Sequence, residues 1–253
     1  MTLRSELLGV VAAGRYSRQI ASIGIGTAAG GSPGGTSVSP SWPTAQGAVA
    51  ANVRNILAVA LKPGTANGGS VSTPSGWTAI DDHIGGGYGG TLGDGTGNSR
   101  IYLFYRDNDN TNSGSVEVTV NSDGANGIVA ATIARFEKLK GSWMPMVVAK
   151  AEATASGLVG TYVTAPDLKL APGDVVYYGF AYVGTLAALT SGADLVALSP
   201  PQANGIDTTS GYDVSITVTG RRAQRGRLLG SQTLTLATGN CRGPLLAVRL
   251  RVR

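Results

Sequence analysis

The chain has 253 residues, 42% of them apolar and 38 of them glycine, with a net charge of +5 and a single cysteine, Cys241. Glycine at about twice its ordinary share of roughly 7% without a Gly-X-Y period excludes collagen, and the apolar content excludes a disordered chain. One cysteine excludes an intrachain disulfide framework, and no apolar run reaches the roughly 18 residues of a membrane-spanning helix.

Residues 1–35 read as an N-terminal arm. "LRSELLGVVAA" suits a short helix with Ser5 as a weak cap. Arg4, Arg15 and Arg18 stand against Glu6 alone, which makes the arm basic and fits a secretory leader poorly. "IASIGIGTAAGGSPGG" runs from alternating apolar and small residues into a glycine-rich tether. A boundary near Thr36 then leaves residues 36–253 as the folded domain.

Strand signals follow one another from there. "TSVSPSWP" predicts a short edge strand, because Pro40 and Pro43 exclude a central one. "NILAVALKP" is a continuous apolar run of strand length and predicts a strand buried on both faces. "STPSGWTAI" places Trp77 behind a Pro-Ser-Gly turn, as either a core anchor or an exposed aromatic platform; its place at a strand start favours the anchor. The segment from His83 to Ser99 reads as a long glycine-rich loop carrying Tyr88. "RIYLFYR" puts Ile101, Leu103 and Tyr105 on one face and Tyr102 and Phe104 on the other, and "SVEVTVN" turns Val116, Val118 and Val120 inward. "IVAATIARFEKL" favours a strand through its β-branched residues, with a helix as the alternative.

The second half repeats the style. "VVYYGFAYVG" is a second long apolar run, matched to "NILAVALKPG" as the central strand of a second sheet. "SGYDVSITVTG" and "SQTLTLAT" flank the turn "RRAQRGR" and predict an extended hairpin. "PLLAVRLRVR" closes the chain with Leu246, Val248, Leu250 and Val252 inward and Arg249, Arg251 and Arg253 outward. About ten strands without long helices predict an all-β, antiparallel, jelly-roll-like sandwich.

Catalytic and metal-binding patterns are sparse. His83 is the sole histidine, beside Asp81 and Asp82, and reads as a polar loop residue before it reads as a base. "DNDN" offers oxygen ligands but lacks the glycine and glutamate of a calcium loop, and hairpin turns use the same residues. No nucleophile elbow, phosphate loop or His/Cys ligand set occurs, so neither an enzyme nor a cofactor is implied. Charge is distributed unevenly: residues 51–220 hold 9 basic and 14 acidic side chains, whereas 221–253 hold eight arginines and no acid. Arg221, Arg222, Arg225 and Arg227 form the densest cluster. They are a basic contact patch for an acidic protein surface or polysaccharide, or else solvated arginines on outward strand positions. Without aromatics interleaved among them they argue against nucleic acid.

The succession of a buried apolar strand, "STPSGWTAI", a glycine-rich loop, "IYLFYR" and later "PGDVVYYGFAY" resembles a β-sandwich module of tailed-bacteriophage virion proteins of the head-spike, decoration or tail-fibre type. The likeness covers roughly residues 36–253. It implies a non-enzymatic virion component, assembled in the bacterial cytoplasm and homo-oligomeric, whose partners are other capsid, portal-vertex or tail proteins. The arm with Arg4, Arg15 and Arg18 would then anchor it. The alternative is a carbohydrate-binding module for a host capsule or other surface glycan, with Tyr88 and Trp143 as contacts.

Overall fold

A computed structural model describes residues 20–32, 34–43, 52–64, 68–86, 99–107, 114–121, 127–153, 157–162, 168–191, 195–198, 202–206 and 214–253. Among these residues the chain is the all-β antiparallel sandwich expected from its sequence. The helix expected over residues 3–13 lies outside them. The first half contains β1 (Ile20–Ile25), β2 (Ala29–Gly30), β3 (Ser37–Val38), β4 (Val53–Lys62), β5 (Ser70–Val71), β6 (Thr78–Gly85), β7 (Ser99–Asp107), β8 (Val118–Asn121) and β9 (Ile128–Lys138). The second contains β10 (Val147–Ala153), β11 (Val159–Tyr162), β12 (Lys169–Leu170), β13 (Val175–Ser191), β14 (Leu195–Ala197), β15 (Gln202–Ile206), β16 (Val214–Ala223), β17 (Arg227–Leu228), β18 (Gln232–Asn240) and β19 (Gly243–Leu250).

Each half of the chain builds one principal sheet. The first runs β1-β9-β4-β7-β6 and the second β10-β19-β13-β16-β14, with β4 and β13 in the middle. The jelly-roll likeness therefore extends to two facing antiparallel sheets, while the connectivity keeps each half of the chain on its own side. Ile56, Ala58, Ile101, Leu103 and Phe136 of the first sheet pack between the sheets against Tyr177, Ile216, Val218, Leu246 and Val248 of the second. Phe136 meets Tyr177 edge-on with ring centres 5.9 Å apart, a favoured aromatic geometry. At Gly179 the sheets approach so closely that a Cβ would stand 2.7 Å from Ile101 Cδ1.

The outer face of each sheet is covered as well. A three-stranded layer, β3-β8-β5, folds over the first sheet, so that Val38, Val118 and Val120 cover Leu57, Val59 and Phe104. Over the second sheet Tyr162, Leu170, Leu234 and Leu236, from β11, β12 and β18, cover Val176, Tyr178 and Phe180. This double covering explains the two uninterrupted apolar runs: all ten residues of β4 are buried. A strand buried on both faces shows no alternation, and each buried Val, Leu or Phe contributes about 1.5–3 kcal/mol over its exposed state.

Three expectations change. Within the segment expected as an arm, residues 20–25 and 29–30 are sheet: β1 and β2 both pair with β9, and Ile20 is buried in the core between the sheets. The register shift between Ser22 and Gly24 lets Ile20 and Ile25 both join the core between the sheets, while β9 supplies the main-chain pairing. The strands on either side of "RRAQRGR" do not pair as a hairpin. β16 lies between β13 and β14, whereas β18 pairs with the far part of β13 and with β11. The 17-residue β13 is long enough to serve one strand with each part, and that outcompetes the local turn. The loop expected from His83 begins later, because β6 continues to Gly85. The ambiguous segment from Ile128 is strand β9.

Candidate functional site

The most distinctive surface feature of the described residues lies where Ser72–Trp77 leaves its sheet. Opposite β3, β8 has the register Ser37↔Thr119 and Val38↔Val118, continued by the bridge Ser41↔Ser115. Val116 N–H donates to Pro40 O at 3.0 Å and Val120 N–H to Thr36 O at 2.8 Å. Even-numbered residues of this strand therefore point their main-chain groups at β3, and odd-numbered ones point them away. On that far side Ser70 opposes Asn121, and Ser72 N–H donates to Thr119 O at 3.0 Å.

The next position on that side is Glu117, and the residue due opposite it is Pro74. Proline has no N–H to give. Pro74 O instead accepts the Trp77 N–H at 3.1 Å, and Gly76 has φ 76°. These are the marks of a type II turn with glycine at its third position. The turn peels the chain off β8, and among the described residues the main-chain groups of Ser115 and Glu117 on that side have no main-chain partner. A groove of about 540 Å³ opens there, walled by Ser72, Thr73, Ser75, Ser115, Glu117 and Thr119, with Arg106 and the two tryptophans Trp42 and Trp77.

The two indoles line the groove and are largely buried. Trp42 stacks on Trp77 with centres 5.5 Å apart and planes 22° from parallel. The two are only 9% and 6% exposed and belong to the core under the outer layer. The buried Arg135 guanidinium lies 5.7 Å from the Trp42 ring centre, and its Nε donates to Asn55 Oδ1 at 3.0 Å. Arg106 lies over the turn, where a Cβ on Gly76 would stand 3.4 Å from its Nη1.

The residues singled out from the sequence lie elsewhere. Tyr88, Arg4, Arg15 and Arg18 are outside the described residues. Trp143 is half-buried and bridges to Val252. Its ring carries the Arg54 guanidinium at 4.8 Å, and the same guanidinium lies 5.1 Å from the Tyr105 ring centre. Arg54 also grips Asp107 through two bonds of 2.7 Å. Trp143 thus belongs to an ion-pair and cation–π assembly at the end of the first sheet.

Two of the four arginines of the cluster are turned onto main-chain carbonyls. Arg221 Nη2 donates to Leu189 O at 3.1 Å, Arg222 Nη2 donates to Ile20 O, and burial lowers the pKa of both. Arg225 is exposed at the turn, and Arg227 begins β17. Arg251 grips the buried Asp174 carboxylate with bonds of 2.7 and 2.5 Å, which fastens the C-terminal strand to the Ala171–Asp174 turn.

His83 stands on β6, where this strand faces β10 across the open side of the sandwich. Lys150 closes that side by donating to Asp81 Oδ1 at 2.7 Å and to Asp82 O at 2.8 Å. Burial, then the Lys150 charge, lowers the His83 pKa against the opposing pull of Glu152, Asp81 and Asp82. Of the carboxylates beside His83, that of Asp81 is engaged by Lys150 across the sheets and that of Asp82 by Arg100 of the neighbouring strand at 3.0 Å, and no group of three His, Cys, Asp or Glu side chains among the described residues is placed to hold a metal ion.

The sequence reading missed the pairing of Trp42 with Trp77 and the parts of Arg106, Ser115 and Glu117. One signal for the groove was present: a proline and a glycine directly after a short strand. No family model and no curated protein matches this chain. A solved structure, that of GK1651 from Geobacillus kaustophilus, aligns over 93% of this chain and 98% of its own at 11% identity, with a TM-score of 0.19. A likeness at that level carries no argument.

Proposed function

We propose that this chain is a non-enzymatic structural component of a virion, a head-spike, decoration or tail-fibre protein that assembles as a homo-oligomer and is anchored through its N-terminal segment. The observation that carries the reading is the packing of "STPSGWTAI", the motif at the centre of the phage resemblance. Its Trp77 is a core residue of the outer layer and its turn shapes that layer's edge. The arm's role narrows to residues 1–19, because Ile20–Ile25 and Ala29–Gly30 are strands paired with β9. Residues 1–19 join β1 at Ile20, whose carbonyl receives Arg222, one of the arginines of the basic cluster.

Deleting residues 1–19 is expected to leave melting unchanged while abolishing incorporation into particles, read by the protein content of purified virions. Normal incorporation of the truncated protein would remove the anchoring role.

A second reading, a receptor module for a host surface glycan, is favoured by the hydroxyl groups of Ser72, Thr73, Ser75, Ser115 and Thr119 around the groove. It stands behind the first because Trp42 and Trp77 are only 9% and 6% exposed beside that groove, and the Trp143 ring is already engaged by Arg54. A glycan array probed with the intact protein tests it; absence of binding at millimolar ligand would remove it.

A further inference from the structure

We propose that the groove beside Ser115 and Glu117 is a docking site for an extended peptide segment of a partner protein, which adds to β8 as a strand where Pro74 has withdrawn the native one. The site stands on the groove alone and holds whether or not the virion reading does.

Three observations specify the occupant. Ser115 and Glu117 turn main-chain N–H and C=O groups toward the groove at alternate positions, and no main-chain group among the described residues answers them. That is the pattern a peptide strand complements, and a strand edge left open beside a groove is the usual seat of strand addition. The incoming residue opposite Glu117 carries its side chain to the same outer side as the exposed Glu117 carboxylate. Opposite charges directly across a strand pair attract, so this residue is lysine or arginine. The residue that follows it lies opposite half-buried Val116 and points the other way, toward Trp42 and Trp77, so it is apolar; the place on its other side is held by the native chain, where Ser72 still bonds Thr119.

A sugar ring is the poorer fit. Stacking needs an open aromatic face, and the Trp42 ring lies between Trp77 and the Arg135 guanidinium. The groove volume of about 540 Å³ lies within the ordinary range for ligand sites, about 300–1,000 Å³.

The probe is the blocked pentapeptide Lys-Val-Thr-Val-Thr, whose lysine faces Glu117 and whose next two residues face Val116 and Ser115, titrated into the isotope-labelled full chain while amide chemical shifts and hydrogen exchange are followed. The expected result is a shift change and slowed exchange at the Ser115 and Glu117 amides, lost when the peptide's lysine is N-methylated on the backbone. Glu117→Lys is expected to weaken this peptide at least ten-fold and to favour Glu-Val-Thr-Val-Thr instead. Unchanged melting of that variant shows that it has folded. No response at millimolar peptide overturns the proposal. So does a response that survives N-methylation, or a shift of the same amides by maltohexaose and not by the peptide.

Discussion

Trp77 shows what a single residue does here. Its indole closes the core under the outer layer, stacked on Trp42, at 6% exposure. Trp77→Ala is expected to destabilise the fold by about 3–5 kcal/mol, the usual cost of truncating a buried aromatic, read as a lower denaturant midpoint. An exposed platform residue would leave the midpoint unmoved. His83 works through linkage. Its folded pKa lies below the ordinary 6.5 because burial penalises the imidazolium. As pH falls through that ordinary value the unfolded chain takes up the proton first. The contribution of His83 is therefore fully present above 6.5 and declines below it. His83→Gln is expected to flatten that part of the stability–pH curve, checked by urea titrations at a series of pH values. The Arg54–Asp107 pair sits between two rings with its arginine side chain 7% exposed. Asp107→Ala leaves that buried cation unpaired and is expected to cost about 3 kcal/mol.

At the scale of elements, the Pro74–Trp77 turn and the first strand separate local from distant control. Gly76 holds φ 76°, a left-handed conformation that costs an L-residue about 1–2 kcal/mol. Gly76→Val is expected to lower the melting temperature accordingly and to disturb the groove. The two N-terminal deletions separate anchor from strand. Removal of residues 1–19 leaves β1 whole, whereas removal of 1–35 takes away β1, β2 and the buried Ile20 and is expected to lower the melting temperature. Equal melting of the two would show that β1 adds nothing to the sheet.

For the whole molecule, the two sheets and their outer layers form three cores, and Cys241 reports on one of them. It is fully buried under the second sheet, its Sγ faces Leu234 O at 3.5 Å, and burial pushes its pKa up to about 11. A buried thiol of that kind is inert. Its reaction with a water-soluble disulfide reagent at neutral pH is expected to follow the opening of that outer layer, with a rate that rises in step with denaturant. Fast labelling of the native protein would mean that the layer opens on its own.

Composition and local pattern by themselves determined the strand character of this chain, the burial of "NILAVALKP" and "VVYYGFAYVG", and the inward valines of "SVEVTVN". They did so because side-chain period and apolar content act within a few residues. Partner choice was beyond them. The Val214–Ala223 and Gln232–Asn240 strands read as a hairpin because they are neighbours in sequence, and both preferred the long β13. The first strand read as part of an arm because a short run of apolar and small residues buries nothing until β9 pairs with it and the second sheet covers Ile20. The groove depended on register across segments more than thirty residues apart: only pairing β8 between β3 and β5 sets Pro74 opposite Glu117. A missing N–H matters only where a partner is waiting for it, and that partner is supplied by the tertiary structure.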